Sequence, residues 1–206
     1  MHTIAPPVPR SRKKRGEGAS RRGEILAAAT QIFLEEGVAH ATMRRIAAAV
    51  GVSPTALYVY FPDKHAILQA IAEAWFADLL IVLEASQHGH ATVAARFRAG
   101  LQAYVDFGRA HPDGYRLTFF AKAAPGDEPR GDIAAADQSF AILQRGVQDM
   151  MAAAAFRPGP PEAAAEAIWA ALHGVTCLLL DQAAHCSTPP DELVRMVLDM
   201  IMAGYR

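Results

Sequence analysis

Alanine occupies 43 of the 206 positions, and from Arg21 onward apolar residues recur every three or four places in nearly every segment. Alanine is the best helix former and a poor strand former, and no stretch shows the alternation of β-branched residues that a half-buried strand requires. A chain of this kind folds as an all-α protein. Its length suffices to bury a real core. Two cysteines cannot build a disulfide framework and fit a reducing compartment. The uncharged run Ala167–Leu180 falls short of the roughly 18 residues of a spanning helix, and Pro6, Pro7 and Pro9 interrupt any secretory signal. A soluble, cytoplasmic chain with no membrane partner is expected.

Charge is divided unevenly. Residues 1–65 hold ten Lys/Arg against five Asp/Glu, whereas residues 66–206 hold ten against sixteen. A basic front on an acidic body points to an anionic partner for the front, with nucleic acid ahead of a membrane surface. Residues 1–19, with three prolines and the basic run Arg12–Arg15, read as a disordered arm.

Turn residues cut the remainder into about nine helices. The first runs over Arg21–Glu36 and ends at Gly37, a suitable C′ glycine. Thr42 caps the second, Ser53 with Pro54 starts the third, and Asp63 caps a long fourth. Double prolines precede the last two, over about 162–184 and 190–204. Leu193, Val194, Val197, Leu198 and Ile201 spread over an arc too wide for one surface helix, and they are expected to form a dimer interface with the apolar eighth helix.

The three short helices of residues 21–61, with the tight Ala49-Val50-Gly51-Val52 turn, have helix-turn-helix proportions. Gly51 accommodates a left-handed turn, Ala47 lets the helices approach, and Ile46, Val52 and Leu57 fill a small core. The third helix then offers Thr55, Tyr58 and Tyr60 to a major groove. The pattern Ile25-Leu-Ala-Ala-Ala, Phe33, Gly37, Thr42-x-x-x-Ile46-Ala47, Gly51-Val52-Ser53-x-x-x-Leu57-Tyr58-x-Tyr60-Phe61-x-x-Lys64 resembles the DNA-binding domain of TetR-family transcriptional repressors. Trp169-Ala-Ala-Leu-His173-Gly174 is similar to the Trp-x-x-x-His-Gly motif of one subclass of that family.

That resemblance implies roles for particular residues. Thr42 touches a phosphate, Arg44 reaches a base, and Ser53, Thr55 and Ala56 stand at the groove. Tyr58, Tyr60 and Lys64 hold phosphates. It implies a DNA-binding domain over 20–66 and an effector-binding and dimerisation domain over 67–206. The small side chains of Thr55 and Ala56 leave the operator sequence unreadable.

Aromatics gather between 104 and 120, so Tyr104, Phe107, Tyr115, Phe119, Trp169 and His173 are expected to line a site for an apolar or aromatic effector. His173, Cys177 and Asp181 fall at i, i+4 and i+8, a spacing that also suits zinc. They sit in an apolar stripe without CxxC or HExxH, so neither a metal nor a cofactor is expected. No nucleophile–base spacing, phosphate loop or paired carboxylate marks an enzyme. The whole reads as a ligand-responsive repressor that binds a pseudo-palindromic operator as a homodimer. The rival is a helical small-molecule- or protein-binding protein with a vestigial DNA-binding domain.

Overall fold

The computed structural model describes residues 17–121, 131–181 and 186–205. Among these residues there are nine helices and no strand: α1 (Glu17–Glu36), α2 (Met43–Ala49), α3 (Pro54–Tyr58), α4 (Lys64–Ala85), α5 (Val93–Ala110), α6 (Pro112–Phe119), α7 (Ala134–Ala152), α8 (Pro161–Asp181) and α9 (Pro190–Gly204). The all-α expectation holds. The run Arg12–Arg15 lies outside the described residues, and α1 begins at Glu17, ahead of the expected Arg21.

The helices surround two apolar cores. The first gathers Ile25, Ile32 and Phe33 of α1, Ile46 of α2, Leu57 of α3, and Ile67, Leu68 and Ile71 of α4. The second gathers Trp75, Leu79 and Leu83 of α4 with apolar residues of α5 to α9. α4 therefore belongs to both, and the change of core falls between Ile71 and Trp75, inside the helix. A boundary at residue 66 would cut through the first core.

α6 is shared in the same way. Leu117 packs in the first core while Tyr115, two residues earlier, is fully buried in the second. By length and composition α4 and α8 are each apolar enough to cross a bilayer, more than the run Ala167–Leu180 suggested. Here both pack within the bundle, α4 against α6 and α7, and α8 against α5, α7 and α9.

The approach of α6 to α4 depends on a missing side chain. A Cβ at Gly114 would lie 2.4 Å from Cδ1 of Trp75, which leaves no room for a methyl group. Gly114→Ala is therefore expected to destabilise the fold by about 1–3 kcal/mol through overpacking. Urea denaturation of the purified protein measures this, and an unchanged midpoint would show that α6 shifts freely.

Candidate nucleic-acid interface and ligand cavity

The helix-turn-helix is assembled from caps. The Thr42 hydroxyl accepts the Arg45 N–H at 3.2 Å, the Ser53 hydroxyl accepts the Ala56 N–H at 3.1 Å, and Asp63 accepts the Ala66 N–H at 2.8 Å. Each satisfies one orphan donor at a helix start and fixes where the helix begins. Gly51, at φ +67°, makes the turn between α2 and α3. Leu57 is the residue of α3 that is fully buried. Ser53, Thr55 and Tyr58 stay exposed, with Val59 beside them. Ala56 and Tyr60 are half-buried, Tyr60 against the first core.

The cations of this domain have separate fates. Arg21 pairs with Glu24 at 2.7 Å, Arg45 pairs with Glu36 at 3.0 Å, and Arg22 lies 4.3 Å above the Phe61 ring. Lys64, the residue expected at a phosphate, donates within the chain to the carbonyl oxygens of Val38 at 2.7 Å, Ala39 at 3.0 Å and Ala41 at 3.4 Å. Its three N–H bonds tie the start of α4 to the α1–α2 connection. An ammonium with three carbonyl acceptors close at hand satisfies itself within the chain. Arg44 is exposed on α2 and has no ion-pair partner among the described residues.

The second core encloses a cavity of about 670 Å³ bounded by α4, α5, α6, α7 and α8. That volume suits a drug-sized ligand. Tyr104, Phe119 and Trp169 line it, as expected from the sequence. Phe107, Tyr115 and His173 do not; they form an aromatic layer behind the wall. Tyr115 stacks on His173 at 5.5 Å, and Trp75 meets Phe107, Tyr115 and Phe119 edge-on at 5.1–5.6 Å. Further wall residues come from α4 (Phe76, Leu79, Leu83) and α7 (Ser139, Phe140, Leu143). Sequence reasoning missed these because a cavity wall and a packed core share one apolar composition.

The stripe on α8 that matched zinc spacing is a latch for α6. The Tyr115 hydroxyl lies 2.6 Å from Nδ1 of His173 and 3.8 Å from Sγ of Cys177, and the Tyr104 hydroxyl is 3.4 Å away. One turn on, Arg116 donates to Asp181 at 2.9 Å and to the Leu180 carbonyl at 2.8 Å. Burial pushes the Tyr115 and Tyr104 phenols up, the Cys177 thiol up and the His173 imidazole down. A neutral imidazole can accept the Tyr115 O–H at Nδ1, whereas a protonated one cannot.

The expected dimer residues on α9 divide into two faces. Val194, Leu198 and Ile201 are buried in the chain's own second core, so they cannot also meet a partner. Leu193 and Val197 are only partly covered, next to the exposed Met196 and Met200. On α8, Ala163, Ala167, Ala170 and Gly174 are all exposed at a spacing that places them along one face.

Residues 25–71 match the family described as bacterial regulatory proteins, tetR family, and residues 97–201 match the tetracyclin repressor-like C-terminal domain. The HTH-type transcriptional repressor BepR of Brucella suis is 41% identical over 80 residues, 38% of each chain, so the chain spans well under half of that relative. A protein of unknown function from Rhodococcus sp. RHA1 superposes with a TM-score of 0.74 at 31% identity, covering 90% of this chain and 95% of that one. The structure of a SmeT–triclosan complex shares the fold at 22% identity and a TM-score of 0.73, covering 90% and 91%.

Two outcomes follow from these side chains. Lys64→Met is expected to lower stability by about 1–3 kcal/mol, because carbonyls of the α1–α2 connection lose their donor. If the variant instead keeps its denaturation midpoint while the salt dependence of DNA binding flattens by about one unit, Lys64 serves a phosphate. His173 is held neutral by the fold, so its contribution to stability is full above its unfolded value of about 6.5 and is lost as pH falls below it. Melting temperature should therefore drop on acidification through that window, and drop less in His173→Gln.

Proposed function

The chain belongs to the TetR family of bacterial transcriptional regulators, whose members bind DNA, dimerise and respond to small molecules, and on that footing we propose that it is a ligand-responsive repressor. In this reading two copies grip a pseudo-palindromic operator, each with α3 in a major groove. Thr55 and Tyr58 face the DNA from α3, and Arg44 adds a free guanidinium from α2. The Thr42 and Ser53 caps lie at helix N-termini, which favour phosphate. Repression is supported by the likeness to BepR, which is named a repressor.

The observation that carries ligand control is the double membership of α6. Phe119 lines the cavity while Leu117 packs in the core of the DNA-binding helices. A ligand that displaces Phe119 moves α6, and α6 packs on both α1 and α4. Occupancy thereby shifts the spacing of the two reading heads, by no more than the ligand's difference in affinity for the two states. The SmeT–triclosan complex supports a small-molecule occupant for this fold. Dimerisation in this reading uses the open faces of α8 and α9, where Ala163, Ala167 and Gly174 permit close approach and Met196 and Met200 supply apolar contact.

Selection of bound duplexes from a random DNA pool tests the reading. A palindromic consensus is expected, and no enrichment would favour the vestigial alternative. Arg44→Ala is expected to relax preference at one operator position by about 1–3 kcal/mol. Met200→Glu is expected to give a monomer by light scattering and to lose operator binding, because a charge buried in an apolar interface lacks a partner. A variant that remains dimeric would move the interface off α9.

A further inference from the structure

The cavity carries charge of one sign. Among its described lining residues the formally charged groups are Asp137 and Glu166, and no Lys, Arg or His is present. Both carboxylates are exposed, and neither has an ion-pair partner among the described residues. Each has an aromatic ring one turn further along its own helix, Phe140 after Asp137 on α7 and Trp169 after Glu166 on α8. The two rings meet edge to face in the cavity wall, with centroids 6.4 Å apart and planes at 76°. Trp169 is 39% exposed although it lines the cavity, so its indole stands at the mouth.

Two acids beside aromatic rings in the wall of an apolar space are the chemistry of organic-cation recognition. Ring faces attract cations through their quadrupole, and carboxylates add long-range attraction without capturing the cation in a rigid geometry. An anion would meet repulsion at the same opening. Arginines stand elsewhere: Arg96 and Arg145 line a separate, adjoining depression, and Arg96 is already paired with Asp149 at 2.6 Å. We propose that the effector of this cavity is an amphiphilic cation, with an aromatic or alkyl body among the rings and a quaternary or protonated centre between Asp137 and Glu166. This rests on the reading of the cavity as the effector site, and it adds a charge requirement to that reading.

Tetraphenylphosphonium and tetraphenylborate have nearly the same shape and opposite charge, and triphenylphosphine oxide supplies an uncharged aromatic body. Isothermal titration of the full chain with each is expected to show the phosphonium binding at least about tenfold more tightly than the borate at low ionic strength. The double substitution Asp137→Asn with Glu166→Gln should lower phosphonium affinity by about tenfold and leave the oxide unchanged. Both positions are exposed and both changes are isosteric, so circular dichroism should match the wild type. Equal or tighter binding of the borate overturns the proposal while leaving the cavity a ligand site. A phosphonium preference that survives the double substitution overturns the assignment to these carboxylates. If none of the three binds, the proposal falls together with the reading beneath it.

Discussion

A fully buried phenol must find a hydrogen-bond partner, and Tyr115 finds His173. That bond, with the Arg116–Asp181 pair one residue on, fixes α6 against α8. Once α6 is set, Leu117 has to enter the core of the DNA-binding helices and Phe119 has to face the cavity. The relation between the two halves of the chain therefore rests on α4, which runs through both cores, and on α6 with the α8 side chains that hold it. Apolar packing supplies most of the stability here, but it is non-directional. The polar latch is what selects one seating of α6.

The DNA-facing half follows a similar economy. Among its described residues, four of the five cations are engaged inside the chain, by Glu24, Glu36, a phenylalanine ring and backbone carbonyls. Net positive charge on the front is therefore a poor count of phosphate contacts. Arg44 stands apart because it is exposed on α2 and pairs with nothing among the described residues.

Local rules were legible in the sequence and long-range partners were not. Thr42, Ser53, Asp63 and Gly51 act where their side-chain chemistry said they would, because a cap or a left-handed turn depends only on residues within four places. The bonds of Lys64 to Val38 and Ala39 were not legible, because they cross about 25 positions of chain. Val194 and Leu198 were placed on an interface because an amphipathic arc shows that two sides are apolar without showing which one the protein fills itself. The cavity was half legible: the aromatic cluster was visible, but the α4 and α7 walls exist only through tertiary packing.

The two tryptophans occupy opposite surroundings: Trp75 is 5% exposed amid a shell of rings, and Trp169 is 39% exposed at the cavity mouth. The molecule thus has two indole fluorophores with distinct duties. Emission from the dry indole at the α4–α6 contact lies to the blue and reports the integrity of the bundle. Emission from the wet indole lies to the red and reports what stands at the entrance. An event at the mouth and a loss of packing would therefore change different parts of one spectrum, without any added label.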